Sequence, residues 1–308
     1  MGKGTANEGM RTKTATEAER MKFELKQLRD KRAIALFILS IVISLSLYGG
    51  IGYLVINETE SGRAAAWMQE QLGMDKALAE NISNLGEVAV LAFIVIIIIC
   101  IIYRNKSEEG KAAAYDLRVT PKVNQEVFDA ARMYSQKLGL KHPPEVFVTE
   151  RKVEKTLLNA EVHGDRVIHL DAIIWNNAVR ANDMLPIRFR VASAISHVYL
   201  RHSSLWFQVL SFPARCLPIY NGLYKRAMTY AADRIVLFLM GREDAARGLF
   251  STLYNTKLYD MEHVSAEIHQ KFSRTSKQEQ RSMALANLLT KSPLPPYRLY
   301  AMLEQEKR

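Results

Sequence analysis

The sequence predicts an α+β chain that is mostly α-helical: two N-terminal transmembrane helices, then a helical domain with a small β-sheet or hairpin. Three observations predict it. Ala33 to Ile56 runs 24 residues without a charge, and about 20 apolar residues suffice to cross a hydrocarbon core. Val88 to Tyr103 adds an uncharged run of 16, dense in Ile and Val. Beyond residue 104, apolar residues recur mostly at helical spacing, with short β-prone runs between Glu145 and Leu170.

The 308 residues allow an anchor plus one domain of about 200 residues. Cys100 and Cys216 are the two cysteines. They lie far apart, which argues against a disulfide framework and excludes a C-x-x-C metal motif. A cleaved signal peptide does not fit, because the first apolar run is too long, starts late and is followed by no small-residue cleavage site. Residues 1–32 carry nine Lys/Arg, residues 57–87 carry only Arg63 and Lys76 against six acids, and Arg104, Lys106 and Lys111 follow the second run. Basic flanks mark the cytoplasmic side. The expectation is an integral protein of the inner or plasma membrane with both termini cytoplasmic. Its parts are a tail and basic amphipathic helix (1–32), a first span (33–56), an external loop (57–87), a second span (88–103) and a cytoplasmic domain (104–308). That domain has a net charge of +10, from 31 basic and 21 acidic residues. Such a charge is attracted to anionic lipid, so membrane lipids are expected partners. No recognition motif accompanies the charge, and nucleic acid is not expected.

Residues 1–16 are small and polar and read as disordered. Glu17 to Arg32 is rich in helix formers; it is either a solvated extension of the first span or a surface-lying, self-associating helix. Trp67 to Ala79 reads as a short amphipathic helix. Gln125 to Leu138 places Val127, Ala130, Ala131, Tyr134 and Leu138 at helical period, and Gly139 and Pro143-Pro144 stop it. Glu145 to Thr149 reads as a strand. Leu157 to Val162 and Val167 to Leu170 flank His163-Gly164-Asp165-Arg166, a hairpin pattern. Asp171 to Ala181 looks helical. Pro186 opens the next helix, with Ile187, Val191, Ala194, Ile195 and Val198 on one face. Leu205 to Leu223 is apolar but interrupted by Pro213, Arg215 and Pro218, which marks a buried or membrane-facing excursion rather than a third span. Lys225 to Met240 is a helix ended by Gly241. Asp244 to Tyr259, Glu262 to Phe272 and Gln278 to Leu289 are further helices, and Ser292-Pro293-Leu294-Pro295-Pro296 precedes a terminal one.

Over residues 120 to 300 this order resembles the membrane-bound zinc metallopeptidases of the HtpX and CAAX-prenyl-protease type. The resemblance implies a zincin-like (gluzincin) domain. In that family an H-E-x-x-H helix holds zinc through two His, with the Glu as general base, and a later E-x-x-x-A-D helix completes the metal site. The first motif corresponds to Ser193-Ala194-Ile195-Ser196-His197. Ser193 stands at the first His position, Ala194 at the base position, and His197 is retained. The second corresponds to Thr229-Tyr230-Ala231-Ala232-Asp233, with Thr229 at the ligand Glu position and Ala232-Asp233 kept. Asn159-Ala160 matches the opening of the family's substrate-side strand. Ser292-Pro293 and Arg298 match its H-P…R-I segment, with Ser292 at the His position. Residues 157–162 (Leu157, Leu158, Asn159, Ala160, Glu161 and Val162) are the candidate peptide-binding edge.

A catalytic zinc site normally has three protein ligands and an open position, so His197 alone predicts no bound metal. Without a base at Ala194 no catalytic residue is expected. His197 and His202, five apart, turn about 140° around a helix and do not share a face. His163 and His169 lie on opposite hairpin arms; His263 and His269 are off-face. Each His reads first as a structural or surface residue. A non-standard metal site of His197, His163 and Asp233 is the alternative, although Asp233 fits better as a hydrogen-bonding group across the core. Ser193 and Ser196 near His197 lack triad geometry. The leading expectation is a pseudopeptidase without cofactor, an adaptor or regulator for membrane proteins or a membrane protease. The alternatives are an active membrane zinc metalloendopeptidase with an altered site, and a self-associating scaffold forming homo-oligomers.

Overall fold

The computed structural model describes residues 31–60, 63–73, 75–150, 160–163, 166–202, 204–254, 266, 270, 274–290 and 293–304. The expected helices over residues 17–32 and 262–272 therefore lie outside the described residues except at 31, 32, 266 and 270. In chain order the elements are α1 (Lys31–Glu60), α2 (Arg63–Leu72), α3 (Lys76–Tyr115), β1 (Leu117–Arg118), α4 (Gln125–Lys137), β2 (Glu145–Thr149), β3 (Ala160–His163) and β4 (Val167–Asp171). Then follow α5 (Ala172–Arg180), α6 (Leu185–Tyr199), α7 (Leu205–Arg215), α8 (Pro218–Met240), α9 (Arg242–Tyr254), α10 (Lys277–Leu289) and α11 (Pro295–Glu304).

The sheet has strand order β1-β2-β4-β3. β2 and β4 run parallel, with Val146 beside Ile168 and Val148 beside Leu170. β3 and β4 form the hairpin, antiparallel, with Glu161 beside His169. Alternation along the strands divides the side chains between two faces. Val146, Val148, Ile168 and Leu170 join the main core. Phe147 and Val167 point the other way and meet Ala112 of α3. The run Val167-Ile168-His169-Leu170 is therefore buried on both faces, which explains why it is not alternately polar.

The main core is built on α4 and α6. Asn124 caps α4 by accepting the Val127 amide at 3.0 Å. Its buried stripe is Val127, Ala130, Ala131 and Tyr134. Gly139, at φ +67°, ends the helix in the left-handed conformation that glycine tolerates. α6 packs against α4, α5, α8, α9 and strands β3 and β4. Every residue from Phe189 to Val198 is buried, so the helix is enclosed on all sides rather than along one face. α9 lies close to it because Gly248 has no side chain. A Cβ there would stand 2.7 Å from the Phe189 Cβ and 3.3 Å from the Leu185 carbonyl oxygen. Neither atom is the free end of a flexible side chain. Gly248→Ala is expected to destabilise the fold by about 1–3 kcal/mol through overpacking, read as a lower urea midpoint with unchanged slope.

The N-terminal helices require a correction. Among the described residues no helix is long and apolar enough to cross a membrane. This overturns the transmembrane helices expected at 33–56 and 88–103. The integral placement in an inner or plasma membrane goes with them, as does the assignment of 57–87 to the outside and of both termini and residues 104–308 to the cytoplasm. The reason is that an uncharged run does not say what its side chains face. Part of α1 faces protein: Ser40 and Ser44 are buried, the Ala214 amide donates to Ser44 Oγ at 3.2 Å, and the Tyr220 hydroxyl donates to the Leu36 carbonyl. Leu36 and Ile43 pack on Ala214, Tyr220 and Tyr224. The second run is the middle of a much longer helix, α3, whose charged C-terminal part continues onto the sheet. Arg104 of α3 donates to Gln208 of α7 at 3.2 Å.

Other boundaries shift for local reasons. The short helix in 57–87 is α2, ending before Gly73 at φ +62°, not Trp67 to Ala79. Leu205 to Leu223 divides into α7 and the first turns of α8. Pro218 sits in the first turn of α8, where its missing N–H is not needed, so this helix starts seven residues before the expected Lys225. Gln208, Val209, Ser211 and Ala214 of α7 are buried, and α7 packs on α1.

Candidate functional site

The positions singled out for chemistry converge on the second half of α6, the middle of α8 and the start of α11. α6 begins where Asp183 Oδ1 accepts the Leu185 amide at 3.0 Å and Pro186 occupies the first turn. Ser193 and Ala194 are buried inside the packed helix. The Ser196 hydroxyl donates to the Ala192 carbonyl at 2.7 Å, a bond within its own helix.

α6 stops one turn after His197. The Leu200 amide bonds to Ser196 O, the Arg201 amide to Val198 O and the His202 amide to His197 O, at 2.9–3.0 Å. Arg201 takes φ +57°. This reversal folds His202 back over the last turn, and His197 Nδ1 lies 2.8 Å from His202 Nδ1. The expectation that these residues do not share a face assumed a helix continuing past Tyr199, and it is corrected here. One Nδ1 carries the proton and the other accepts it, so the bond needs at least one ring with a bare Nδ1 and is lost when both rings are protonated. Burial, reinforced by the nearby Arg298 charge, pushes His197 down to about 4. His202 is held well below its ordinary range, by burial first and His197 second. His202 also stands beside Phe207, and Phe207 stacks on Tyr224, each with ring centroids 5.6 Å apart.

On α8, the Thr229 hydroxyl donates to the Lys225 carbonyl at 2.9 Å. One turn on, Ala232 is fully buried and Asp233 is 2% exposed. Arg298, at the first turn of α11, meets both oxygens of Asp233: Nε donates to Oδ2 at 2.5 Å and Nη2 donates to Oδ1. Burial pushes the Asp233 carboxyl up, and Arg298 opposes that shift. The guanidinium carbon also lies 5.8 Å from the Phe189 ring centroid. Two helices distant in sequence are thus held by one planar, two-bond ion pair.

The remaining sequence candidates are dispersed. Ala160, Glu161 and Val162 belong to β3, an outer strand among the described residues. Leu157, Leu158, Asn159 and Ser292 lie outside the described residues, as do His263 and His269. His163 pairs with Val167, two positions along from the Glu161–His169 pair. His169 is buried, with Nδ1 3.1 Å from Asp116 Oδ2.

The donor set does not fit zinc. His197 Nδ1 is used by His202, Ser193 and Ala194 offer no imidazole or carboxylate, Thr229 bonds to its own helix, and Asp233 is occupied by Arg298. Among the described residues no group of three or more His, Cys, Asp or Glu side chains is placed to hold a metal ion. Comparison with protein-family models, curated proteins and solved structures finds no match. The site therefore rests on its own geometry. Sequence reasoning missed the part played by His202: only the backbone reversal at Arg201 brings it to His197, and no Gly or Asn announces that reversal.

Proposed function

We propose that this chain is a catalytically inactive, metallopeptidase-like protein that holds an extended polypeptide segment of a partner along β3 and acts as an adaptor or regulator. The observation that carries this reading is the position of β3. Among the described residues it is one of the two outer strands of the sheet, and it lies against α6. An outer strand offers backbone donors and acceptors to an added strand, a mode of recognition that needs no metal. The α6 and α8 positions where the resemblance would put metal ligands and a base hold Ser193, Ala194 and Thr229. A resting protease, or one of its substrates, is the kind of partner this edge would take.

The test combines photocrosslinking from residue 161 with metal analysis of the purified full-length chain. The expected result is crosslinks to a different polypeptide, abolished by competing extended peptide, with no zinc-dependent cleavage of casein. Stoichiometric zinc, removed by a chelator together with casein cleavage, overturns the reading. Crosslinks reaching only other copies of this chain overturn it in favour of self-association.

A further inference from the structure

On the face of the sheet away from α6, a cleft of about 510 Å³ opens between the end of α3, the loop before β2, and the first residues of β2 and β4. Small-molecule pockets commonly measure about 300–1,000 Å³. Phe147, Val167 and Pro143 supply apolar wall; Glu109, Glu145, His142 and Arg166 supply the polar groups. The two acids are already matched: Lys106 Nζ lies 2.8 Å from Glu109, and Arg118 Nη2 lies 2.5 Å from Glu145. Arg166 is exposed, and among the described residues its side chain has no partner. Its backbone is fixed, because the Arg166 carbonyl accepts the Glu145 amide at 2.7 Å. The cleft thus presents one uncompensated guanidinium and an imidazole beside a buried aromatic wall.

We propose that this cleft binds a small amphiphilic carboxylate, its anionic head on Arg166 and His142 and its hydrocarbon or aryl body against Phe147 and Val167. A guanidinium meets a carboxylate with two parallel hydrogen bonds. The neutral apolar wall gives no comparable reward to a wholly polar anion. This inference is independent of the β3 edge and of the His197 region.

Three probes of one shape and different charge test it on the full-length chain: 3-phenylpropionate, 3-phenylpropan-1-ol and 3-phenylpropylamine, titrated by calorimetry and ligand-observed NMR. The carboxylate is expected to bind about 10-fold or more tighter than the alcohol, reflecting the charge-assisted pair, and the amine is expected not to bind. Arg166→Gln should remove the preference for the carboxylate, and Arg166→Lys should keep part of it. Arg166 is exposed, so both variants should fold, which circular dichroism checks. Saturation transfer to the carboxylate from the Phe147 ring, lost in Phe147→Leu, ties binding to this wall. The proposal is overturned if the carboxylate does not bind at millimolar concentration, if the amine binds equally or better, or if Arg166→Gln leaves carboxylate affinity unchanged.

Discussion

Replacing Arg298 with methionine is expected to lower folding stability by about 3–5 kcal/mol, because it leaves the Asp233 carboxylate buried without its counter-charge. Asp233 and Arg298 have side chains only 3–4% exposed, so water cannot take over the lost bonds. The loss should be read as a fall in the urea midpoint at pH 7, and it should shrink toward pH 4 as the stranded carboxyl takes up a proton. The double variant Asp233→Leu with Arg298→Met should recover much of the loss, since a well-packed apolar pair is often no worse than a buried ion pair. If the single and double variants are equally unstable, packing around Arg298 matters more than its charge. The Phe189 ring, 5.8 Å from the guanidinium carbon, would be the first place to look.

Acid should weaken the fold before ordinary carboxylates titrate. His197 is held neutral down to about 4, while its ordinary value is 6.5. Below pH 6.5 the unfolded chain takes up a proton that the folded chain refuses. Stability from this group is therefore complete above pH 6.5, declines as pH falls toward 4, and levels off below. Each pH unit within that window is worth about 1.4 kcal/mol, so the full decline is roughly 3 kcal/mol. His202 shifts in the same direction and adds to it. Urea unfolding between pH 7 and pH 5 isolates the effect. A variant with both His197→Gln and His202→Gln should show a much flatter profile over this range. A wild-type profile as flat as that of the variant would mean that the two rings are not held neutral.

Much of the domain was readable because local chemistry and tertiary demand agree there. Gly139 and Gly241 end α4 and α8 where left-handed backbone is required, Pro186 and the strand Glu145–Thr149 fall where their residue types place them, and the described part of the hairpin pairs antiparallel, with His163 in the strand rather than in the turn. The N-terminal region was not readable in the same way. An uncharged run scores alike whether it faces lipid or protein, and Ser40, Ser44 and Leu36 reveal their neighbours only through Ala214 and Tyr220, far along the chain. α6 was half readable. Its apolar stripe predicted a core helix, but Phe189, Arg190 and Ser193 are buried on the other sides because α4, α8 and α9 close around it. At the candidate site the emptied positions Ser193, Ala194 and Thr229 stand in plain sight in the sequence. The bond between His197 and His202 depends on where a helix ends, the least predictable property of a helix.

The bonds from α1 to Ala214 and Tyr220 join residues 170 and 184 positions apart. A ribosome adding about 5–20 residues per second needs roughly 10–35 s to make that much chain. Throughout that interval α1 can pack only on α2 and α3, and the side it later gives to α7 and α8, Leu36 and Ile43 included, remains uncovered. The nascent chain is therefore expected to recruit a holding chaperone as it leaves the exit tunnel, and to be released only once Tyr220 and Tyr224 have emerged.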